Sequence, residues 1–226
     1  MSDRMPACRY TMGAEAQPLC VFEEFATDPE KLRYVAAASV FEPGRHHYPG
    51  IRAAVPPDYL ASRLPEIGEA ITQAFGLTGE IAVIDASFSI VTRAPQHLTL
   101  PQRLPHCDAF APNRIALIHY LSLDDGDGTA FFRHRSTGFE TVCEERRSIY
   151  FGQLEAELRR GAQPEPAYIA GDTGLFERIW LAEARFNRAL LYQSWNLHSG
   201  AIAPSAALSP DPAKGRLTVT AFLSVG

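Results

Sequence analysis

No stretch of this 226-residue chain is apolar for the roughly 18 consecutive residues that a membrane-spanning helix needs. Residues 1–16 lack the apolar run of a secretory leader, so the expectation is a soluble, cytoplasmic protein. Basic excess is missing too. With 21 Lys and Arg against 26 Asp and Glu, the formal net charge is −5, which supplies no field to hold nucleic acid or an anionic membrane. Cysteine is scarce: Cys8, Cys20, Cys107 and Cys143 form no CxxC pair and no compact disulfide framework, which removes zinc-finger and thioredoxin chemistry and fits reduced thiols. There is no GxxxxGK, no GxGxxG, no internal repeat and no low-complexity tract, so nucleotide-driven chemistry has no support.

What remains is an ordinary globular composition, 46% hydrophobic and 21% charged, sufficient for one domain over residues 1–226. Residues 1–79 read as an N-terminal strand with supporting helices. Leu19–Phe22 is the strand, Asp28-Pro29 opens a helix through Leu32, Val35 and Ala36, and Asp58–Phe75 repeats at helical spacing up to a Gly76 cap. Between them, residues 41–57 are broken by Pro43-Gly44, Pro49-Gly50 and Pro56-Pro57, so His46 and His47 are placed in a loop. Residues 80–226 change to short β-rich runs at 81–92, 115–123, 129–133, 189–193 and 217–225, with a helix over 149–160. The pattern predicts a mainly β fold with helical buttresses, a double-stranded β-helix of the jelly-roll, cupin-like kind. Asp124-Asp125-Gly126-Asp127-Gly128 begins like a calcium loop, but its twelfth position is Arg135 where a bidentate Glu is needed, and the Asp-Gly signals favour a hairpin turn.

Chemistry concentrates at Leu104-Pro105-His106-Cys107-Asp108. In an extended segment, side chains alternate, so His106 and Asp108 share a face and Cys107 turns away. Two such groups can take neighbouring positions on one metal ion, and a third ligand completes a facial set with open positions opposite. Downstream, the apolar run Leu190-Leu191-Tyr192-Gln193-Ser194-Trp195-Asn196-Leu197 leads to His198 before Ser199-Gly200. In Arg216–Leu223, alternation puts Arg216, Thr218 and Thr220 on one face and Leu217, Val219, Ala221 and Leu223 on the other. A guanidinium with hydroxyls on one face suits a carboxylate-binding pocket, because Arg presents a planar fork of donors.

These residues resemble the iron(II)- and 2-oxoglutarate-dependent dioxygenases, in particular a prolyl-hydroxylase-like, bacterial branch, whose pattern is His-x-Asp, a distal His and an Arg or Lys on a closing strand. Ile118-His119-Tyr120-Leu121-Ser122 is similar to the strand whose Tyr reaches the cosubstrate carboxylate. The resemblance implies iron(II) on His106, Asp108 and His198, 2-oxoglutarate held by Arg216, Tyr120 and Thr218, and hydroxylation of a small molecule, amino acid or peptide with release of succinate and carbon dioxide. Implied partners are that substrate and molecular oxygen, with a homodimer as an assembly state, and neither nucleic acid nor membrane. Substrate contacts are placed on the loops 41–57 and 96–105, chiefly Tyr48 and Arg52 with Arg45, and on Trp195 and Tyr192 beside the distal ligand. His119 and His134 are assigned structural roles. One departure is the gap from His198 to Arg216, 18 positions, longer than the family's usual spacing; Ala203–Ala213 reads as an inserted loop. Two rival readings keep the barrel: a non-catalytic metal- or 2-oxoglutarate-binding module, and a cupin-like enzyme that uses another metal and needs no Arg clamp.

Overall fold

The computed structural model describes residues 7–45, 47–123 and 128–226. In chain order its elements are β1 (Cys8–Met12), β2 (Gln17–Phe22), α1 (Pro29–Ala38), β3 (Glu42–Pro43), β4 (Gly50–Ala54), α2 (Leu64–Phe75), β5 (Ile81–Val91), β6 (Arg114–Tyr120) and β7 (Gly128–His134). There follow α3 (Glu144–Arg159), β8 (Phe176–Glu183), β9 (Ala189–Gln193), β10 (His198–Ala201) and β11 (Leu217–Val225). An eight-stranded sheet, ordered β1-β2-β9-β6-β11-β5-β4-β3, faces a three-stranded sheet, β10-β7-β8, and the paired strands within both are antiparallel. This is the expected double-stranded β-helix. Among the described residues no helix is long and apolar enough to cross a membrane.

The alternation in β11 sets the layering. Leu217, Val219, Ala221 and Leu223 are fully buried on the outer face of the large sheet, where they pack with residues of α1 and α2, including Ala36, Ile67 and Ile71. Burying each such aliphatic side chain contributes about 1.5–3 kcal/mol, and a one-residue slip would put Arg216 and Thr218 into that layer instead. Register is therefore fixed by the core. The opposite face meets the small sheet through Ala116, Tyr120, Phe131, Leu190 and Tyr192. A third cluster, Phe132, Tyr150, Leu154, Phe176 and Leu197, joins the small sheet to α3.

Local chemistry explains the helix ends. The Asp28 side chain accepts from the Lys31 amide at 3.0 Å and caps α1. Gly76 ends α2 in the left-handed region at φ 67°. The helix predicted from Asp58 begins only at Leu64, after a 3₁₀ turn at Ala61–Arg63, because Pro65 has no N–H and is accommodated in a first turn. Likewise α3 starts at Glu144, ahead of the predicted 149.

Several expectations need correction. The segment 41–57 is not all loop: β3 and β4 extend the large sheet beyond β5. Gly50, a breaker in sequence, is what permits this, since a Cβ there would lie 1.9 Å from the Ile90 carbonyl oxygen. Together β1 to β4 give the large sheet four strands from the segment read as one strand with helices. The sequence reading also missed β8, whose Glu177 and Arg178 interrupt the apolar alternation on the edge of the small sheet. His46 and residues 124–127, and with them the hairpin expected there, lie outside the described residues.

Candidate metal centre

His106, Asp108 and His198 converge, and backbone pairing does the positioning. His106 and His198 exchange reciprocal amide-to-carbonyl bonds, both 2.9 Å, and the Asp108 amide donates to the Ser194 carbonyl at 2.7 Å. The His-x-Asp segment is thus a single bridge flanked by irregular chain, where a strand was expected, yet both side chains fall on the same side. His106 Nε2 lies 3.6 Å from Asp108 Oδ1, and His198 Nε2 lies 3.4 Å from Asp108 Oδ2. One donor atom from each residue falls within 4.8 Å of the others. Metal–nitrogen and metal–oxygen bonds of about 2.1 Å at right angles place adjacent ligands about 3 Å apart, so small side-chain rotations would close this set on a divalent ion.

The donor chemistry fits as well. His198 Nδ1 donates to the Asn196 carbonyl at 2.9 Å, which leaves the lone pair on Nε2, facing Asp108. Tyr192 packs edge-on against this ring at 4.9 Å and, with Phe131, fixes its plane. His106 opens to the cavity with 55% of its side chain, but enclosure by the cleft walls pushes its pKa down to about 4. The neighbouring His198 adds to that fall, Asp108 opposes it, and the Arg52 charge contributes a little more. Neutral imidazole is the form a metal requires. Two imidazoles and a carboxylate on one face suit iron(II) and related first-row ions.

A cavity of about 650 Å³ adjoins the triad. Arg216, immediately before the closing strand β11, lines it with Thr218, Thr220 and Phe222 of that strand, as alternation predicted. Arg216 Nη2 donates to the Gly128 carbonyl at 2.9 Å, and its guanidinium carbon stands 5.7 Å from the Tyr120 ring centroid. Thr218 Oγ1 donates to the Ser89 carbonyl at 3.3 Å. Tyr120 is fully buried beneath this wall, with its hydroxyl 2.7 Å from Oγ1 of Thr129, a cavity-lining residue. Tyr48 and Arg52 both reach the cavity, the guanidinium carbon 4.4 Å from the tyrosine centroid.

Trp195 is not brought to this group. The turn at Ser194-Trp195 reverses the chain, and the indole Nε1 donates to Gln17 Oε1 at 3.1 Å in a separate cleft lined by Phe110, Thr141 and Arg146. His119 lies on the far face of β6, fully buried, 2.8 Å from the Tyr59 hydroxyl and 3.0 Å from Asn187 Oδ1. His134 is equally buried, between Thr137 and Glu157. Both are buried and hydrogen-bonded to partners outside the triad. Sequence reasoning did not place Asp85 or Tyr168 in the cavity. Asp85 carried a signal, for it alternates with apolar neighbours in step with Ser87 and Ser89, whereas Tyr168 comes from irregular chain after α3 and carried none.

A family model described as a family of unknown function, DUF6445, matches residues 4–223. The chain belongs to the DUF6445 family. No curated protein matches the sequence of this DUF6445 chain. Solved structures similar to it include iron-bound HygX from Streptomyces hygroscopicus, at 11% identity and TM-score 0.48, covering 93% of this chain and 83% of that one. An N-substituted L-amino acid dioxygenase from Burkholderia ambifaria aligns at 11% identity and TM-score 0.47, over 100% of this chain and 96% of that one. An oxidoreductase of the 2OG-Fe(II) oxygenase family from Burkholderia pseudomallei aligns at 10% identity and TM-score 0.45, over 91% and 84%.

Proposed function

We propose that this DUF6445 protein is an iron(II)- and 2-oxoglutarate-dependent oxygenase. The observation that carries the reading is the coincidence, on one cavity, of the His106–Asp108–His198 set with the Arg216 and Thr218 face of β11. Bound there, iron(II) with 2-oxoglutarate and molecular oxygen would supply the oxidation, giving a hydroxylated product, succinate and carbon dioxide. The chain's own residues do the rest. His198, held by the Asn196 carbonyl, presents Nε2 without a change of tautomer. Arg216 offers its donor fork to the distal carboxylate, with Thr218 beside it and Tyr120 acting through the Thr129 hydroxyl. Phe131 and Tyr192 pack against His198 and keep water from its buried side. Tyr48 and Arg52 face the remaining volume, where a substrate would lie.

Metal-free protein titrated anaerobically with iron(II) and then 2-oxoglutarate should develop a visible charge-transfer absorption, and air should then yield succinate. Asp108→Ala and His198→Ala should bind iron markedly more weakly, because each leaves two ligands. Binding of both components with no succinate would identify a non-catalytic module. Unchanged iron affinity in His198→Ala would remove that residue from the site.

A further inference from the structure

Among the described residues lining the cavity beside the triad are three guanidiniums, Arg52, Arg114 and Arg216, and two carboxylates, Asp85 and Asp108. In the oxygenase reading Asp108 holds the metal and Arg216 the 2-oxoglutarate, which leaves Arg52 and Arg114 as the guanidiniums a further ligand could meet. An enclosed charge without a counter-charge is costly, and a ligand of opposite sign relieves that cost.

Arg52 is the residue placed to use it. In the large sheet, Arg52 stands opposite Ser89, Ser89 opposite Thr218, and Thr218 opposite Tyr120, one row across four adjacent strands. Opposed residues share a face, so Arg52 projects toward the cavity with Thr218. Tyr48 braces the guanidinium from one side at 4.4 Å. Its Nε is buried with no hydrogen-bond partner, and no carboxylate pairs with it among the described residues. Arg114 has a buried, unpartnered Nε as well, but among the described residues no aromatic ring braces it, and it stands opposite Ser224, at the other end of β11 from Thr218.

We propose that Arg52, braced by Tyr48, receives a carboxylate of the primary substrate, so that the substrate class is a small organic carboxylate. This rests on the oxygenase reading, in which Arg216 is committed to 2-oxoglutarate. A carboxylate would give the buried, unpartnered Nε an acceptor and the guanidinium a counter-charge, and the planar donor fork matches its two oxygens.

The test uses the full chain with zinc(II) in place of iron, so that nothing turns over, and saturating 2-oxoglutarate. Matched probes are phenylacetate with phenylacetamide, hexanoate with hexanamide, and N-acetyl-L-phenylalanine with its amide, read by ligand-observed NMR. At least one carboxylate should bind about tenfold or more tightly than its amide. Arg52→Gln should erase the preference, Arg52→Lys should keep part of it, and Arg114→Gln should leave it. In the same samples Arg216→Gln should weaken 2-oxoglutarate about 30-fold or more, and Arg52→Gln less than about fivefold. Equal or absent binding of both members of every pair to the parent protein overturns the proposal, as does a preference that survives Arg52→Gln. Equal loss of 2-oxoglutarate affinity in the Arg52 and Arg216 variants would also overturn it, by making Arg52 part of the cosubstrate clamp. A metal-free, 2-oxoglutarate-free arm separates the two readings: if the parent binds neither zinc nor 2-oxoglutarate yet prefers carboxylates through Arg52, the oxygenase reading fails and the anion site stands.

Discussion

Replacing His119 by Gln should remove a specific acid sensitivity from the fold. Asn187 decides the protonation state of this histidine: its Oδ1 accepts the Ala26 amide at 2.8 Å and its Nδ2 donates to the Ala26 carbonyl at 2.9 Å, which fixes the carbonyl end toward His119. His119 Nε2 must therefore donate, and Nδ1 accepts from the Tyr59 hydroxyl. Fully buried, with Phe25 edge-on at 5.1 Å, the ring is neutral and satisfied. Burial pushes its pKa down to about 4, partly offset by the Asn187 bond. Against an unfolded value of about 6.5, the unfolded chain takes up the proton first, so stability is fully present above about pH 6.5 and lost as pH falls from there through about 4. The whole span is worth roughly 3 kcal/mol, and roughly 2 kcal/mol of it disappears between about pH 7.5 and about pH 5. Urea unfolding of metal-free protein, followed by fluorescence at those two pH values, should show that loss in the parent and not in His119→Gln. The low-pKa His106 is common to both proteins and distant from the substitution, so it cancels in the difference. Equal losses in the two proteins would refute the assignment of the acid sensitivity to His119.

Arg216→Gln should weaken 2-oxoglutarate binding to the zinc-loaded protein by about 2–5 kcal/mol, and Tyr120→Phe by only about 1 kcal/mol, both measured by calorimetry. Glu140, at 2% exposure, accepts from the Ala14 and Glu15 amides and from Arg133, and so ties the β1–β2 turn to the small sheet. Glu140→Ala leaves the Ala14 and Glu15 amides without that acceptor, while Arg133 keeps Glu177, and should cost about 1–3 kcal/mol in urea unfolding. Gly50→Ala forces β4 away from the Ile90 carbonyl and should cost about 1–3 kcal/mol, with a change in near-ultraviolet dichroism as Tyr48 shifts.

The parts of the site that were legible in sequence are those written in short patterns. His106 and Asp108 are two residues apart, and Arg216 begins an alternating run whose apolar half is buried without exception at Leu217, Val219, Ala221 and Leu223. Trp195 was misplaced because nearness to His198 in sequence says nothing of direction across a turn. The β4 strand was hidden because Gly50 reads as a breaker, while in the sheet its missing side chain lets the backbone approach β5. Arg52 was singled out by residue type alone, and only the ladder shows that it continues the row of Ser89, Thr218 and Tyr120. Histidines could be sorted by strand face, since the parity that sends Tyr120 toward the small sheet sends His119 the other way.

The long spacing between His198 and Arg216 is resolved by how the extra chain folds on itself. After β10, residues 203–216 make their own closure: the Gly215 amide donates to the Asp211 carbonyl at 2.7 Å, the Lys214 amide to the same carbonyl at 3.0 Å, and the Ala213 amide to the Asp211 side chain at 2.9 Å. Gly215 is required there, because a Cβ would sit 2.2 Å from the Ser209 carbonyl oxygen. Lengthening a surface loop costs little entropy, since the penalty grows only with the logarithm of its length. By contrast, the position of Arg216 is dictated by β11, which pairs with β5 on one side and β6 on the other across nearly its whole length. Ligand spacing along the chain is therefore a weak constraint on this site and sheet register a strong one, which is why an arginine too far from the distal histidine in sequence still opens the strand that walls the cavity.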